Sequence, residues 1–266
     1  MIKLVCTDID GTILKPDYTF SDAVKKCMQE LTQKGVKVVL VTGRMHSAAK
    51  FIAKDLGLST PVVAYQGGMI VDNGKTLYEQ NMPESCVKEI INWARTNNAH
   101  LNLYTNDTLY VENDNYVVKK YAGERYTKYQ IKSFDELSLK NVHKLLAINF
   151  EDAELVTSWR DTMKKRFPEL YIVKSTPHFC EFSHPLASKD CAVKFLQRYY
   201  NLETSEILTI GDQDNDIKLL EAGGIKVAMG NSTESLKNIA DYVTDTVSND
   251  GFVKAMKKFV LGGFNV

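Results

Sequence analysis

Asp8 and Asp10 stand two residues apart in Thr7-Asp8-Ile9-Asp10-Gly11-Thr12, directly after the apolar run Ile2-Lys3-Leu4-Val5-Cys6. At a strand exit alternate residues share a side, so the two carboxylates can converge while Ile9 points away. Such a pair suits attack on phosphorus. One acid serves as nucleophile and the other as acid/base, with a metal ion between them and the phosphate. Gly11 lets the backbone turn sharply or come close to a ligand. The same string also reads as a solvated turn.

Three further segments bear on the choice. Val41-Thr42-Gly43-Arg44 offers a hydroxyl and backbone N–H groups at a strand-to-helix turn, which fits phosphate oxygens as well as a plain helix cap. Lys189 opens a helix and is placed either to neutralise phosphate and nucleophile or to lie on the surface. Leu208-Thr209-Ile210-Gly211-Asp212-Gln213-Asp214-Asn215-Asp216 adds an acidic cluster at a strand exit, where acids also favour a helix N-terminus. As a set they require a cation, because three carboxylates gathered at ~4 Å repel by ~4 kcal/mol per pair at an effective dielectric of about 20. Hard oxygen ligands favour Mg²⁺ over Zn²⁺, and no His/Cys ligand set competes.

The elements that position these residues alternate. Strands are predicted at 2–7, 37–42 and 62–65, with helices at 21–34 and 46–55; Val24, Met28 and Leu31 mark one apolar helix face. This order implies a parallel, doubly wound sheet. Gly67-Gly68 and Asp72-Asn73-Gly74 around Met69-Ile70-Val71 signal a hairpin. The alternation resumes with helices at 189–200, 214–222 and 233–240 and strands at 206–210, 225–229 and 242–244.

Between Met82 and Pro185 the chain is richer in Tyr and Asn. It reads as helices at 84–97, 115–123 and 152–166, with strands at 100–105, 108–112, 143–150, 169–174 and 179–183. Adjacent strand pairs suggest an antiparallel sheet with helices on one face. The expected division is a core segment over 1–82, an inserted domain over 83–185 and a second core segment over 186–266. The crossings fall near Asn81-Met82-Pro83 and Ser183-His184-Pro185. The fold class is thus α/β: a Rossmann-like doubly wound parallel sheet core with an inserted α+β cap.

Acidic and basic residues balance at 33 each, so the total charge carries no signature of nucleic-acid or membrane binding. No apolar run approaches the ~20 residues of a membrane span, and the acids at 8 and 10 interrupt any signal-peptide pattern. The five cysteines are scattered without Cys-x-x-Cys spacing, which reads as reduced thiols and a cytoplasmic location. Oligomeric state is not legible.

Taken in order, Asp8-Ile9-Asp10-Gly11-Thr12, Thr42-Gly43-Arg44, Lys189 and Gly211-Asp212-Gln213-Asp214-Asn215-Asp216 resemble the four motifs of the haloacid dehalogenase superfamily. Val227-Ala228-Met229-Gly230-Asn231, Ala240-Asp241-Tyr242-Val243-Thr244 and Asn249-Asp250-Gly251 are similar to its Cof-type branch (subfamily IIB), the sugar-phosphate phosphatases with an inserted α/β cap. The resemblance covers both core segments by motif and the cap by position and length. It implies a Mg²⁺-dependent phosphomonoesterase in which Asp8 forms an aspartyl-phosphate and Asp10 protonates the leaving oxygen, then activates water. Mg²⁺ would sit on the Asp8 carboxylate, the Asp10 main-chain carbonyl and Asp212, with Asp216 in support. Thr42, Gly43, Lys189 and Asn215 would bind the phosphoryl group. Family ATPases carry Thr at position 10 and dehalogenases lack the second acid, so Asp10 argues against both.

Two departures stand out. Gln66-Gly67 replaces a usual Asn-Gly pair, and Asp190 follows Lys189 where Gly is usual, either weakening the lysine's field or capping the helix. Substrate choice falls to the cap, whose polar and aromatic stock includes Asn102, Tyr104, Tyr110 and Tyr116, with His178 and Glu181 the candidates nearest the return crossing. The substrate is expected to be a small phosphomonoester, with sugar phosphates ahead of flavin, pyridoxal or nucleotide phosphates. The alternatives are a phosphotransferase or phosphomutase on the same core, and a phospho-ligand sensor with slow turnover.

Overall fold

Strand β1 (Leu4–Thr7) is buried along its whole length, as a strand covered on both faces must be. Ser21 caps helix α1 (Asp22–Gln33) by accepting the Val24 N–H, and the helix turns Val24, Cys27, Met28 and Leu31 inward. β2 (Lys37–Leu40) pairs parallel to β1 and leads into α2 (His46–Asp55). β3 (Val62–Ala64), β4 (Met69–Asp72) and β5 (Lys75–Glu79) follow. The computed structural model describes residues 1–125 and 127–262.

The third strand departs from expectation. β3 touches the parallel sheet only through an isolated bridge, Val41 to Val63, and belongs instead to a three-stranded antiparallel sheet with β4 and β5. The cause is the tight connection after it. Tyr65, Gln66 and Gly67 all adopt positive φ (52°, 61° and 105°) and reverse the chain, so β4 lies antiparallel to β3. Asn73 and Gly74, also at positive φ (46° and 82°), then make the two-residue turn between β4 and β5 that right-twisted hairpins prefer.

Next come α3 (Glu84–Thr96), β6 (His100–Thr105), β7 (Thr108–Val111), α4 (Tyr116–Arg125), β8 (Tyr129–Ile131), β9 (Val142–Ile148), α5 (Ala153–Arg166), β10 (Tyr171–Thr176) and β11 (Phe179–Ser183). They form the cap, a six-stranded sheet in the order β10-β11-β9-β6-β7-β8. β8, a three-residue strand absent from the sequence reading, pairs parallel to β7; the other pairs are antiparallel. The helices do not share one face. Leu101, Leu103, Leu145 and Ala147 pack with α3 and α5, whereas the alternate residues Tyr104, Leu146 and Ile148 pack with Val118 and Tyr121 of α4. Strand alternation separates these two sets, so α4 covers part of the face that carries Lys144 and Glu181.

The chain returns through α6 (Lys189–Tyr199), β12 (Ile207–Gly211), a 3₁₀ turn at Asp214–Asp216, α7 (Ile217–Glu221), β13 (Ile225–Ala228), α8 (Glu234–Lys237) and β14 (Tyr242–Val243). α8 is a single turn, shorter than its periodicity predicts. An unanticipated helix, α9 (Gly251–Met256), buries Phe252, Val253 and Met256, and a π-helical turn follows at Lys257–Leu261. The parallel sheet runs β14-β13-β12-β1-β2. Val5, Val38, Leu40, Leu208 and Ile210 pack against α1, α2 and α9, while Leu4, Cys6, Val39, Ile207 and Ala228 pack against α6, α7 and α8. Among the described residues no helix is long and apolar enough to cross a membrane.

Candidate active site

The sheet order reverses at β1, where one connection runs out to β2 and the other to β12, and ligands in open α/β sheets collect at such switch points. Register brings the strand exits abreast. Thr7 lies opposite Ile210, and the Asp8 N–H donates to the Ile210 carbonyl at 3.0 Å. Asp8 and Asp212 therefore leave neighbouring strands side by side.

Asp8, Asp212 and Asp216 are all buried, and each offers a carboxylate oxygen within 4.8 Å of the others. Lys189, at the first turn of α6 and buried, donates from Nζ to Asp8 Oδ1 and to Asp216 Oδ1, both at 2.6 Å. Asp216 Oδ2 accepts the N–H groups of Asp212 and Gln213 at 3.0 and 3.1 Å, which ties the loop after β12 into a tight turn. Thr12 Oγ1 and Gln213 Nε2 donate to the two oxygens of Asp212 at 2.8 and 3.2 Å. Gly11 passes so close that a Cβ there would lie 2.3 Å from Asp212 Oδ2, and its φ is +78°. This is a position only glycine fills without strain.

The electrostatics follow from the crowding. Burial pushes the Asp8 carboxyl up to about 7; Lys189 opposes the shift, while Asp216 and Asp10 add to it. Asp212 is driven well above the usual carboxylate range by burial, then by Asp8 and Asp216. Burial disfavours the Lys189 charge, but Asp216 and Asp8 outweigh it and hold the ammonium above its ordinary range. One lysine against three buried carboxylates leaves a negative, oxygen-only donor set. That set fits a hard divalent cation.

Asp10 stands apart from this cluster. Arg44 grips it with both arms, Nε on Oδ2 at 2.8 Å and Nη2 on Oδ1 at 2.6 Å. Thr42, buried just beyond β2, accepts the Arg44 N–H on Oγ1 at 3.2 Å. Gly43 has no room for a side chain, since a Cβ would meet Gln66 Nε2 at 2.5 Å. Asn215 donates from Nδ2 to Gln66 Oε1 at 3.2 Å.

The cap closes over these groups. Lys144 of β9 donates to the Gly43 carbonyl at 2.7 Å and to Glu181 Oε2 at 3.1 Å. Glu181 of β11 also accepts from Gln66 Nε2 at 3.1 Å and from the Ser175 hydroxyl. Burial raises the Glu181 carboxyl, but Lys144 and the donated bonds from Ser175 and Gln66 prevail and hold it below the usual range. A cavity of about 280 Å³ lies between the layers, with Asp8, Asp10, Thr42, Arg44, Asp212 and Asn215 on the core side and Tyr121, Lys144, Phe179 and Glu181 on the cap side.

Of the residues singled out from sequence, Asp8, Asp10, Thr42, Gly43, Glu181, Asp212 and Asn215 line this cavity, with Lys189 and Asp216 directly behind Asp8. His178 does not. It sits in the β10–β11 turn, where Nδ1 lies 2.9 Å from the Asn149 carbonyl and the ring is 6.2 Å from that of Phe150. Asp190 does not face Lys189 as a competing charge; it accepts from Ser188 Oγ at 2.6 Å and from Lys194 at 2.8 Å. Sequence reasoning missed Lys144, Ser175 and any role for Arg44. A signal for Lys144 was present, because a lysine inside the strand-like run Val142-His143-Lys144-Leu145-Leu146-Ala147-Ile148 must be paired if buried.

The chain is similar to known proteins over nearly its whole length. It is 31% identical to a Haemophilus influenzae relative over 97% of this chain and 98% of the other. It is 29% identical to phosphatase YwpJ of Bacillus subtilis (96% and 99% covered), and 28% identical to 5-amino-6-(5-phospho-D-ribitylamino)uracil phosphatase YcsE of the same organism (98% and 96%). The structure of a haloacid dehalogenase-like hydrolase from B. subtilis superposes with a TM-score of 0.86 at 27% identity, covering 97% of this chain and 100% of that one. The family profile for haloacid dehalogenase-like hydrolases matches residues 5–256, and with the carboxylate cluster at the sheet's switch point this places the chain in that family, as one of its phosphatases.

Proposed function

We propose that the protein hydrolyses small, hydroxyl-rich phosphomonoesters, with sugar phosphates foremost, through an aspartyl-phosphate on Asp8 and with Mg²⁺ as cofactor. The observation that carries this reading is the placement of Asp8. Its carboxylate lies at the floor of the cavity, bonded to Lys189 and flanked by Asp212 and Asp216. A carboxylate so placed can attack phosphorus, while Thr42 and Lys189 take the phosphoryl oxygens and Asn215 lies beside them.

In the first step an Asp8 oxygen bonds to phosphorus, the ester P–O bond breaks, and Asp10 gives its proton to the departing alkoxide. In the second, Asp10 takes a proton from water, whose oxygen attacks the same phosphorus and releases phosphate with Asp8 regenerated. Arg44 holds the ionised Asp10 through two bonds, so Asp10 gives up one of them and takes a proton from solvent before it acts as the acid. Mg²⁺ would be held by the Asp8 carboxylate, the Asp10 main-chain carbonyl and Asp212, with Asp216 in support. It supplies Lewis-acid neutralisation of the phosphoryl charge.

Leaving-group recognition falls to the cap. Lys144, Glu181 and Ser175 offer donors and acceptors suited to hydroxyls, over the apolar faces of Phe179 and Leu146. YcsE, whose named substrate carries a phosphorylated ribityl chain, is a relative consistent with a polyol phosphate. We assign 1–82 and 186–266 to the hydrolase core and 83–185 to the cap. The free cysteines support a reducing, cytoplasmic setting.

The test is phosphate release from a panel of phosphomonoesters with and without Mg²⁺, with Asp8→Asn alongside. The expected result is selective, Mg²⁺-dependent release that falls by at least about a thousandfold in the variant. Retained turnover in Asp8→Asn would rule out the covalent route, and transfer of phosphate to an added sugar would point to a mutase instead.

A further inference from the structure

Gln66 bonds both to the cap and to the loop carrying Asn215. It is 1% exposed, and its backbone is held in the left-handed region at φ 61°, an uncommon place for a residue with a β-carbon. Its Nε2 donates to Glu181 of the cap and its Oε1 accepts from Asn215 of the core.

The direction of these bonds is set from the cap end. Glu181 lies diagonal to Lys144 on neighbouring strands, with Ser183 opposite Lys144 and Leu146 opposite Glu181, so the two side chains share a face and pair. An ionised carboxylate only accepts hydrogen bonds, so Gln66 must turn its NH₂ toward Glu181 and its oxygen toward Asn215. Asn215 must then spend an N–H on Gln66. Its own oxygen, Oδ1, is left buried with no partner among the described residues.

We propose that Gln66 is a positioning residue that transmits cap closure to the phosphate site by fixing the direction in which Asn215 hydrogen-bonds. With the cap seated, Asn215 presents an acceptor. A buried acceptor without a donor is costly, so the group it takes is one that carries a proton. In turnover, that group is the hydroxyl of the departing alcohol or of the attacking water, not an ionised phosphoryl oxygen. With the cap lifted, Gln66 loses Glu181, both amides are free to turn, and the preference disappears. This place in turnover rests on the phosphatase reading; the relay itself does not.

The experiment has two arms. In ¹⁵N-labelled protein with Mg²⁺, the side-chain amide signals of Asn215 are compared among wild type, Glu181→Gln and the double variant Lys144→Met/Glu181→Leu. Glu181→Gln retains an acceptor facing Gln66. The double variant removes the buried pair as a unit and so leaves no unpaired charge. The relay requires the Asn215 signals to stay in place in the first and to move in the second, although Glu181 and Asn215 do not bond to each other. Unmoved signals in the double variant overturn it. In the second arm, Gln66→Leu is expected to lower kcat about tenfold with KM changed less than about twofold, the mark of a misaligned site. Wild-type kcat in a folded Gln66→Leu protein also overturns the proposal. The spectroscopic arm reads the relay even if no ester is hydrolysed, so failure of the phosphatase reading and failure of the relay are separable.

Discussion

Arg44 holds Asp10 in a two-pronged grip, with Nε and Nη2 at 2.8 and 2.6 Å from the two carboxylate oxygens. The Arg44 side chain is 8% exposed and that of Asp10 is 37% exposed, so the buried guanidinium anchors the more exposed acid. Asp10 is thereby kept out of the cluster of Asp8, Asp212 and Asp216, on the lining of the cavity between core and cap.

Arg44→Lys is expected to lower kcat by about 10- to 100-fold while the protein folds normally. A lysine is a point donor and cannot fix both carboxylate oxygens at once. Steady-state kinetics on the best ester of the panel, with a thermal melt as control, checks this. Unchanged kcat would show that Asp10 needs no such anchor.

Lys189→Met should destabilise the protein by about 3–5 kcal/mol, the range for removing one partner from buried ion pairs. Lys189 is fully buried between Asp8 and Asp216, and without it three carboxylates face one another uncompensated. Urea denaturation with EDTA measures the loss. Adding Mg²⁺ should recover part of it, because a cation in the cluster replaces some of the missing charge.

The raised Asp8 carboxyl couples stability to pH. Its ordinary value is 3.8 and burial lifts it to about 7, so between these values the folded protein holds a proton that the unfolded chain has released. Metal-free stability therefore falls as pH rises through this window and levels off above it. Asp212, shifted in the same direction, reinforces the trend. Mg²⁺ competes with those protons, so the gain in Tm on adding it should be larger at pH 8 than at pH 5. Equal gains at both pH values would count against a metal site built on these acids.

Gly11→Ala probes the approach of the backbone to Asp212. A β-carbon at φ +78° costs about 1–3 kcal/mol in strain. It would also collide with Asp212 Oδ2, so Mg²⁺ affinity should drop by about 10- to 100-fold. Calorimetric titration of the variant with Mg²⁺ reads this directly, and wild-type affinity would show that Asp212 does not need its present orientation.

How far the sequence could be read depended on the range of the interaction. α2 spans His46–Asp55 and β6 spans His100–Thr105, the same residues that local periodicity predicts, because apolar spacing and caps act within a few residues. β3 was assigned to the wrong sheet, because the turn at Tyr65–Gly67 folds β4 back onto it through three positive-φ residues, two of which are not glycine and carry no turn signal. The face of the cap covered by α4 was misread for a similar reason, since side-chain alternation tells which residues share a face but not which helix will cover it. His178 and Glu181 looked equivalent in the chain. The pairing of β11 with β9 turned Glu181 toward Lys144, while His178 was left in the turn.

What the sequence determined by itself was the stock of chemistry and its local setting: oxygen-rich acids at strand exits, a Gly where the backbone must turn, and strand–helix alternation that gathers those exits at one edge. Those properties are set by residue type and by side-chain periods of 2.0 and 3.6, which are local. Only the tertiary structure decided that Lys189 meets Asp8 across 181 positions, that Arg44 holds both oxygens of the Asp10 carboxylate, and that Gln66 spans cap and core. Such contacts depend on how remote segments pack together. The same packing removes water from Asp8 and Asp212, and that desolvation raises both carboxyls, so that a cation among them, in place of water, is what would favour their ionised forms.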